Sequence, residues 1–410
     1  MQSTTASDLH VQSLADALKD VKVDLIVCGS IGAVESVRFI RSLRRLGAHV
    51  VPWLTAGGEQ FITPLSLEWA ADHVIRSQFS GTESHIATGD VCMIAPASAN
   101  FLQKISQGTT DTPAAALVAS YLGAKKPVFI LPNMHESLWN SPGVKENLER
   151  VKRWGVILAA REEEGKQKFP EPKTLADIAA HEFNRLKIKG SALITMGGTK
   201  GYIDDVRYVS NYSSGALGSK IAEELFRNGV STYAVAGACE VLPQAFSQLI
   251  RIDTNEQLEK ESLALIKAHN VDAVIGAASV LDYVPQERIS GKVRSGSPNL
   301  DVRFKPTVKI IKHLQPAKNI KVGFKLETEF DADTMDQLIR DQFEQNELSL
   351  MVLNQLSDVG INKHRAIIAE QGRDKGREAS FFVKTELASK ELIARFVCAH
   401  VLQRLGPSKN

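Results

Sequence analysis

The chain has 410 residues, enough for two ordinary domains with full cores. Hydrophobic residues make up 43% and charged residues 23%, a globular balance that excludes a disordered chain. The formal net charge is only +2, so bulk charge gives no reason to expect a nucleic acid or an anionic membrane as partner, and any anion site must be local.

Residues 1–20 are expected as a short amphipathic helix or a loose leader. MQSTTASDLH has no basic stretch followed by an apolar core, so no secretory signal is expected, and no apolar run reaches the ~18 residues of a membrane span. Residues 24–28 (DLIVC) read as a buried strand running into Gly29-Ser30-Ile31-Gly32. Residues 33–46 have apolar positions at helical spacing, Gly47 is a stop, and His49–Leu54 is a second strand, together a βαβ unit. A strand at 91–95, a helix at 114–122 and a strand at 127–131 continue the alternation, which predicts a doubly wound parallel sheet. Ligands of such sheets bind at the carboxyl ends of the strands. Four of these ends carry small or polar residues: Gly29-Ser30-Ile31, Thr55-Ala56-Gly57, Pro96-Ala97-Ser98-Ala99-Asn100 and Pro132-Asn133-Met134-His135. Each alone reads as an ordinary loop, but four in one domain point to a ligand site. Gly29 and Gly32 do not make GxGxxG, and no acidic ribose partner stands after the second strand. A mononucleotide with one phosphate therefore fits better than a dinucleotide. His85, ahead of the 91–95 strand, reads as a structural or surface histidine or as an acid/base group. Cys28, Cys92, Cys239 and Cys398 are widely spaced and form no CxxC, so buried free thiols in a reducing compartment, the cytoplasm, are expected.

The order of GSIGA, LTAGGEQFITPLSL, HI, IAPASAN, Lys104-x3-Gly108-x2-Asp111 and PNMHESLW resembles the flavin-dependent decarboxylases that act on peptidyl- or phosphopantothenoyl-cysteine. The resemblance implies a flavodoxin-like domain holding FMN, with Gly29, Ser30, Ile31, Thr55, Ser98 and Asn100 around it. It implies His85 as the catalytic histidine. In that family a PxMNxxMW motif contacts substrate; here its asparagine position is His135 and its second methionine position is Leu138. The family's lid carries a cysteine in an ACGxxGxGRM-like stretch, and the corresponding residues 159–165 have none. The resembling enzymes oxidise a cysteinyl thiol to a thioaldehyde with FMN, carbon dioxide leaves, and the lid cysteine helps to reprotonate and reduce the enethiol. His135 or Lys166 is expected to stand in for that acid.

Residues 166–173 are charged and contain Pro170 and Pro172, a lid or linker composition. A helix at 175–186 follows, and the domain boundary is expected near residue 188, giving domains 1–187 and 188–410. The next stretch, LITMGGTKGYIDDVRYVSNYSSGALGSK (193–220), starts as a strand and turns on Gly197-Gly198-Thr199. It carries Asp204, Asp205 and Arg207 and closes on Asn211-Tyr212-Ser213-Ser214-Gly215 at a helix start. It reads equally as a strand-to-helix turn with a serine N-cap or as a phosphate site. A helix at 214–228, strand Ser231–Ala236, helix 256–269, strand 271–277, strand 321–324, helix Ala332–Asn346, strand 350–353 and helix 386–405 complete the alternation. The 271–277 strand runs into Gly276-Ala277-Ala278-Ser279-Val280-Leu281-Asp282, and a basic, glycine-flanked loop with Lys292 and Arg294 follows. These residue types suit a nucleoside triphosphate. The turn and helix start would hold phosphates, Asp282 a sugar or base amine, and Lys292 an α-phosphate under attack. Taken singly, Asp282 reads as a helix cap and Lys292 as a solvated loop lysine. GxxxxGK[ST] is absent, which excludes a P-loop enzyme.

GGTKGYIDDVRYVSNYSSGALG, AASVLDY, GKVRSG and VGFKLET are similar to GGTxExIDxVRxISNxSSGxMG, AAVADY, KxKK and VGFAAET of the phosphopantothenate–cysteine ligases. Together with the first half, the chain resembles the bifunctional decarboxylase–ligase family of coenzyme A biosynthesis. The fold this implies is α/β, two doubly wound domains, a flavodoxin-like flavoprotein domain followed by a Rossmann-like ligase domain. The implied ligation starts when the carboxylate of 4′-phosphopantothenate attacks the α-phosphate of CTP and pyrophosphate leaves. The amine of cysteine then displaces CMP from the acyl-cytidylate. By position, Lys292 would assist the first step and Asn211 the second. Gly276, Ala277, Ala278, Asp282, Pro306 and Phe324 would surround the nucleotide. Ser213 and Ser214 would lie by the phosphates, and Mg2+ would accompany them with no protein ligands assigned. A homo-oligomer is also implied. The KxKK loop keeps Lys292 and Arg294, the segment Lys305-Pro306-Thr307-Val308 lacks the family's acid, and two family lysines align with Gln342 and Asn346. These departures carry a second expectation, a diverged flavin- and nucleotide-binding paralogue without decarboxylase activity.

Overall fold

The computed structural model describes residues 10–76, 85–163, 166–294, 299–329, 332–359, 364–371 and 382–406. The chain forms two compact units, Met1–Asn184 and Arg185–Asn410.

In the first unit, β1 (Lys22–Val27), β2 (His49–Leu54), β3 (Val91–Ala97), β4 (Val128–Pro132) and β5 (Val156–Ile157) form one parallel sheet in the order 2-1-3-4-5. This is the flavodoxin order, and it reverses between β1 and β3. The strands read as apolar runs because both faces are covered. On one face pack α1 (Ser36–Arg45), α2 (Pro64–Ala71) and, later in the chain, the helix Pro172–Asn184. On the other pack α3 (Ala99–Gln107), α4 (Pro113–Gly123) and, after the short α5 (Glu136–Trp139), α6 (Pro142–Val151). The Pro172–Asn184 helix is α7. A small antiparallel hairpin, β6 (Arg161–Glu163) and β7 (Lys166–Lys168), precedes it. Asp24 is the polar exception inside β1, satisfied by Trp53 Nε1 at 3.0 Å and Tyr121 OH at 2.5 Å. The described part of the leader, residues 10–21, is not helical; it is an irregular segment whose Ala15 and Leu18 are buried in the core. The helix expected from residue 33 begins instead as a 3-10 turn, Ile31–Glu35, before α1.

The second unit opens with β8 (Ser191–Met196) and a two-stranded flap, β9 (Lys200–Tyr202) and β10 (Tyr208–Ser210). Then come α8 (Ala216–Arg227), β11 (Ser231–Ala236), β12 (Gln248–Arg251), α9 (Asn255–His269) and β13 (Ala273–Gly276). A second small pair, β14 (Tyr283–Pro285) and β15 (Phe304–Pro306), leads to α10 (Ile310–His313), β16 (Ile320–Glu327), α11 (Ala332–Asn346) and β17 (Leu350–Gln355). The described chain ends with β18 (Ala366–Gln371), β19 (Phe382–Leu387) and α12 (Lys390–Leu405). The main sheet runs 12-11-8-13-16-17-18-19, with the first six strands parallel and the last two antiparallel. Counted from β8, the parallel strands read 3-2-1-4-5-6, the Rossmann order, which reverses between β8 and β13. Helix α12 buries Ile393, Val397 and Val401 in the core that contains β8 and α8, and a Cβ at Gly190 would meet Leu405 Cδ1 at 2.6 Å.

Two expected boundaries move. Residues 386–387 belong to β19, and α12 starts only after Ser389, whose side chain caps Leu392 N at 3.2 Å. Helix α8 is capped not by a serine but by Gly215, whose φ of 73° is left-handed.

Candidate functional sites

In the first unit the reversal point lies between the ends of β1 and β3. Ser30 Oγ donates to Asn133 Oδ1 at 2.5 Å, tying the end of β1 to the end of β4. Asn133 is buried, and a Cβ at Gly32 would lie 2.6 Å from its Oδ1, so only glycine lets the chain pass there. Gly29 lies against Gly57, where an added Cβ would sit 2.9 Å from the Gly57 carbonyl oxygen. Thr55 Oγ1 donates to Val27 O at 3.2 Å and accepts from Gly58 N at 3.2 Å, closing the turn after β2. At the end of β3, Ser98 caps α3 by accepting from Phe101 N at 3.3 Å. The amides of Ala99 and Asn100 have no acceptor within the helix, and they mark its positive end. Ile31 is 70% exposed, an apolar surface beside these donors.

Gly29, Ser30, Ile31, Thr55, Ser98 and Asn100 thus share one rim of the sheet. They offer hydroxyls, amides and helix-start N–H groups without a carboxylate, a donor set that fits a phosphate-bearing flavin. His85 is half-buried, and the chain after it runs along α4 to the other end of the sheet. Ala87 N donates to Ser120 Oγ at 2.9 Å, and Asp90 N donates to Lys22 O at 2.9 Å, at the start of β1. His135 is exposed and caps α5, its Nδ1 accepting from Ser137 N at 3.2 Å. A neutral ring that accepts at Nδ1 carries its proton on Nε2. Lys104 and Asp111 form an ion pair at 2.5 Å across the left-handed turn at Gly108. Residues 164–165 and the Lys166 side chain lie outside the described residues.

In the second unit the ends of β8 and β13 are stitched together. Ala277 N donates to Thr195 O at 3.0 Å, and Ser279 N donates to Gly197 O at 2.8 Å. Buried Thr199 accepts Leu281 N on its Oγ1 at 3.1 Å. The glycine-rich turn is used by the chain itself: Gly198 and Ala238 exchange two backbone hydrogen bonds of 2.8 Å, and a Cβ at Gly237 would lie 2.3 Å from Gly198 O. The anion-binding features therefore fall to the next loop. There Ser214 O accepts the amides of Glu240 and Val241, at 3.2 and 3.0 Å, which fixes Ser213 and Ser214 ahead of α8. The first amides of this 12-residue helix have no acceptor within it. Asn211 is exposed, and its Nδ2 donates to Val280 O at 3.2 Å, anchoring it to the loop that follows Gly276, Ala277 and Ala278.

Asp282 is not a helix cap. Its carboxylate pairs with Lys309 Nζ at 2.6 Å, and its carbonyl accepts Thr307 N at 2.9 Å, so Asp282 and Pro306 share one loop cluster. Gly276 is opposite Gly323 in the sheet, which puts Phe324 one residue further along β16. Lys292 is exposed, and its neighbours Gly291 and Val293 are hydrogen-bonded to Asp205 and Asp204. Burial alone would raise the Asp204 carboxyl. The N–H groups of Arg207, Val206 and Val293 and the Arg207 guanidinium outweigh it and hold the group at about 2. That value lies below the ordinary aspartate value of ~3.9, so Asp204 contributes stability that is present above pH ~4 and is lost as pH falls toward 2. Urea titrations across this range should show the stability gap between the wild type and Asp204→Asn closing as pH falls. A gap that stays constant from pH 5 to pH 2 would contradict the assignment.

Asn133 stands out in the sequence only as part of a polar strand end, and its bond to Ser30 is not legible there, nor are those of Asp204 to Val293, Asp205 to Gly291 and Asp282 to Lys309, because each joins distant segments. Equally illegible there is a cavity of about 460 Å³ lined by Lys200, Tyr208, Cys239, Arg251, Asp253 and Gln257. Cys28, Cys92 and Cys398 are buried and Cys239 is half-buried, all as free thiols, and burial pushes Cys28 up to about 12. Among the described residues no three His, Cys, Asp or Glu side chains converge as a metal cage, and no helix is long and apolar enough to cross a membrane.

Comparison with known proteins finds two family domains along the chain. A flavoprotein family model matches residues 11–184, and that of the DNA/pantothenate metabolism flavoprotein C-terminal domain matches 188–404. Fold and sites therefore define a flavoprotein domain joined to a DNA/pantothenate-metabolism domain. The coenzyme A biosynthesis bifunctional protein CoaBC of Thermococcus kodakarensis is 32% identical over 381 residues, covering 90% of this chain and 93% of its own length. The CoaBC of Haemophilus influenzae is 25% identical over 394 residues, with 90% and 96% covered. The crystal structure of a DNA/pantothenate metabolism flavoprotein from Streptococcus pneumoniae overlaps 52% of this chain and 98% of its own, at 22% identity and a TM-score of 0.44. The chain belongs to the bifunctional CoaBC family of coenzyme A biosynthesis, as the resemblance implied.

Proposed function

We propose that the chain is a two-activity enzyme of coenzyme A biosynthesis. Its second domain, 188–410, ligates 4′-phosphopantothenate to cysteine at the expense of CTP. Its first domain, 1–187, decarboxylates the 4′-phosphopantothenoylcysteine so formed to 4′-phosphopantetheine. The observation that carries this reading is that each domain places its family-like loops at its own strand-order reversal, where doubly wound sheets bind ligands. Membership of a family whose relatives are bifunctional along nearly their whole length disfavours a paralogue that has lost the decarboxylase.

In the ligase domain the first turn of α8, beside Ser213 and Ser214, holds the triphosphate oxygens at its positive end. Lys292 places an ammonium against the α-phosphate, where negative charge grows as the carboxylate attacks and pyrophosphate leaves. Asp282, Gly276, Ala277, Ala278, Pro306 and Phe324 frame the cytidine. Asn211, held by Val280, presents its remaining amide hydrogen to the acyl-cytidylate while the cysteine amine displaces CMP. Magnesium would be carried chiefly by the phosphates and water, as is common for this ion, since no carboxylate cage is present among the described residues.

In the first domain FMN, when bound, would accept two electrons from the cysteinyl thiol so that carbon dioxide can leave, and would return them to the enethiol. Gly29, Ser30, Ile31, Thr55, Ser98 and Asn100 hold and orient the flavin, and His85 acts as the acid/base group. His135, at the position of the family's substrate-contacting asparagine, serves as the proton source in place of the missing lid cysteine. A homo-oligomer in the cytoplasm is part of this reading. The purified protein should be yellow, with flavin absorbance that survives gel filtration. A colourless protein that takes up no added FMN would remove the first-domain assignment.

A further inference from the structure

Asp204 and Asp205 lie more than eighty positions from Lys292, and the chemistry above uses neither. Both nevertheless end on the backbone of the Lys292 loop. Asp205 N donates to Gly291 O at 3.1 Å, and Asp205 Oδ2 accepts Gly291 N at 2.8 Å, so the two residues close a ring of two hydrogen bonds. Asp204 Oδ2 accepts Val293 N at 3.1 Å, while Arg207 donates to Val293 O at 3.2 and 3.3 Å. Lys292 is the residue between these two anchors, and its own side chain points to solvent.

The anchors are themselves braced. Asp204 is fully buried, and it also accepts Val206 N at 2.8 Å, Arg207 N at 2.6 Å and the Arg207 guanidinium at 2.8 Å. Asp205 is gripped by Arg288, from the same loop as Lys292, at 3.1 and 2.8 Å. A buried carboxylate is costly unless every lone pair is used, so the buried half of this clamp tolerates little displacement. A lysine that merely decorated a solvated loop would need no such fastening.

We infer that Asp204 and Asp205 are positioning residues of the ligase step, holding the 291–293 backbone so that the Lys292 ammonium meets the α-phosphate. The inference rests on the ligase reading for its consequence but not for its geometry.

The test uses the full chain and two readouts. In limited trypsin digestion without substrates, Asp205→Ala should be cut after Lys292 at least about tenfold faster than wild type, because it loses the charge-assisted bond to Gly291 N and both bonds to Arg288. Its Tm should stay within about 4 °C, because Asp205 is on the surface side of the clamp. In steady-state assays the same variant should lose about tenfold in kcat for pyrophosphate release with KM for cysteine unmoved, and Asp205→Asn should fall between it and wild type. Unchanged cleavage after Lys292 would overturn the inference. So would faster cleavage at every tryptic site in step with a lower Tm, which marks general destabilisation. The digestion needs no substrate, so it decides on the clamp even in a chain that releases no pyrophosphate.

Discussion

Replacing Lys292 by glutamine should cut pyrophosphate release from CTP, 4′-phosphopantothenate and cysteine by about 10²–10³-fold, the loss typical of one preorganised donor to a charged transition state. The structure gives three reasons to expect so large an effect from one exposed side chain. Lys309, in the loop cluster of Asp282 and Pro306, is already spent on Asp282, with 2.6 Å between the charges. The helix-start amides of α8 are partial charges, suited to holding phosphates but weak against a full developing charge. Lys292 is also held at its backbone on both sides, so its ammonium searches a smaller volume than that of a free loop lysine. The variant should melt at the wild-type temperature, because the side chain is exposed. A variant that keeps the wild-type rate would remove Lys292 from the mechanism, and a wild type inactive with any nucleoside triphosphate would sink the ligase assignment.

The second large effect is on stability. Gly237→Ala would bring a Cβ to 2.3 Å from Gly198 O and 3.0 Å from its carbonyl carbon, both backbone atoms that cannot rotate away. Neither chain is free to retreat. Gly237 N donates to Met196 O at 2.9 Å, and Gly198 and Ala238 hold each other by two 2.8 Å hydrogen bonds. Overpacking of this kind costs about 3 kcal/mol, more if the ends of β8 and β11 separate. Urea denaturation followed by tryptophan-independent circular dichroism should show an early transition for the second unit. Flavin absorbance of the first unit should stay at the wild-type level. An alanine variant as stable as wild type would mean that the two turns are not in contact.

Much of this fold can be read from the residues, and the reasons are local. Parallel strands covered on both faces appear as continuous apolar runs, so β1, β2, β11 and β13 stand out, and the helices between them show their stops at Gly47 and Gly229. The elements that escaped reading are those whose stability comes from elsewhere. β12 is four residues long with a half-exposed edge, and β18 and β19 become strands through antiparallel pairing with β17 and with each other. The glycine turn after β8 illustrates the same limit at the site. Its composition suits an anion, yet Gly197 is required by the backbone of 237–238, about forty residues away, and Gly198 by the Asn211 carbonyl. The acidic pair 204–205 likewise shows its purpose only once the loop of Lys292 is beside it. Asn133, flanked by residues of a known motif, is distinguished only by the Ser30 hydroxyl that reaches it from β1.

The placement of α12 bears on how the chain comes off the ribosome. Every strand of the first unit's sheet is complete by residue 157, and α7 closes its core by 184, so that unit can fold while the rest is still being synthesised. The second unit has no such option. Its opening segment at Gly190 waits for Leu405, and Lys318 Nζ waits for the Leu405 carbonyl, 3.0 Å away. Between Arg227, where α8 ends, and Lys390, where α12 begins, the apolar faces of β8 and α8 lack the helix that covers them. The nascent ligase half is therefore the part of this protein that depends most on shielding before release, and a message truncated within α12 should yield a soluble flavin domain tethered to an unfolded partner.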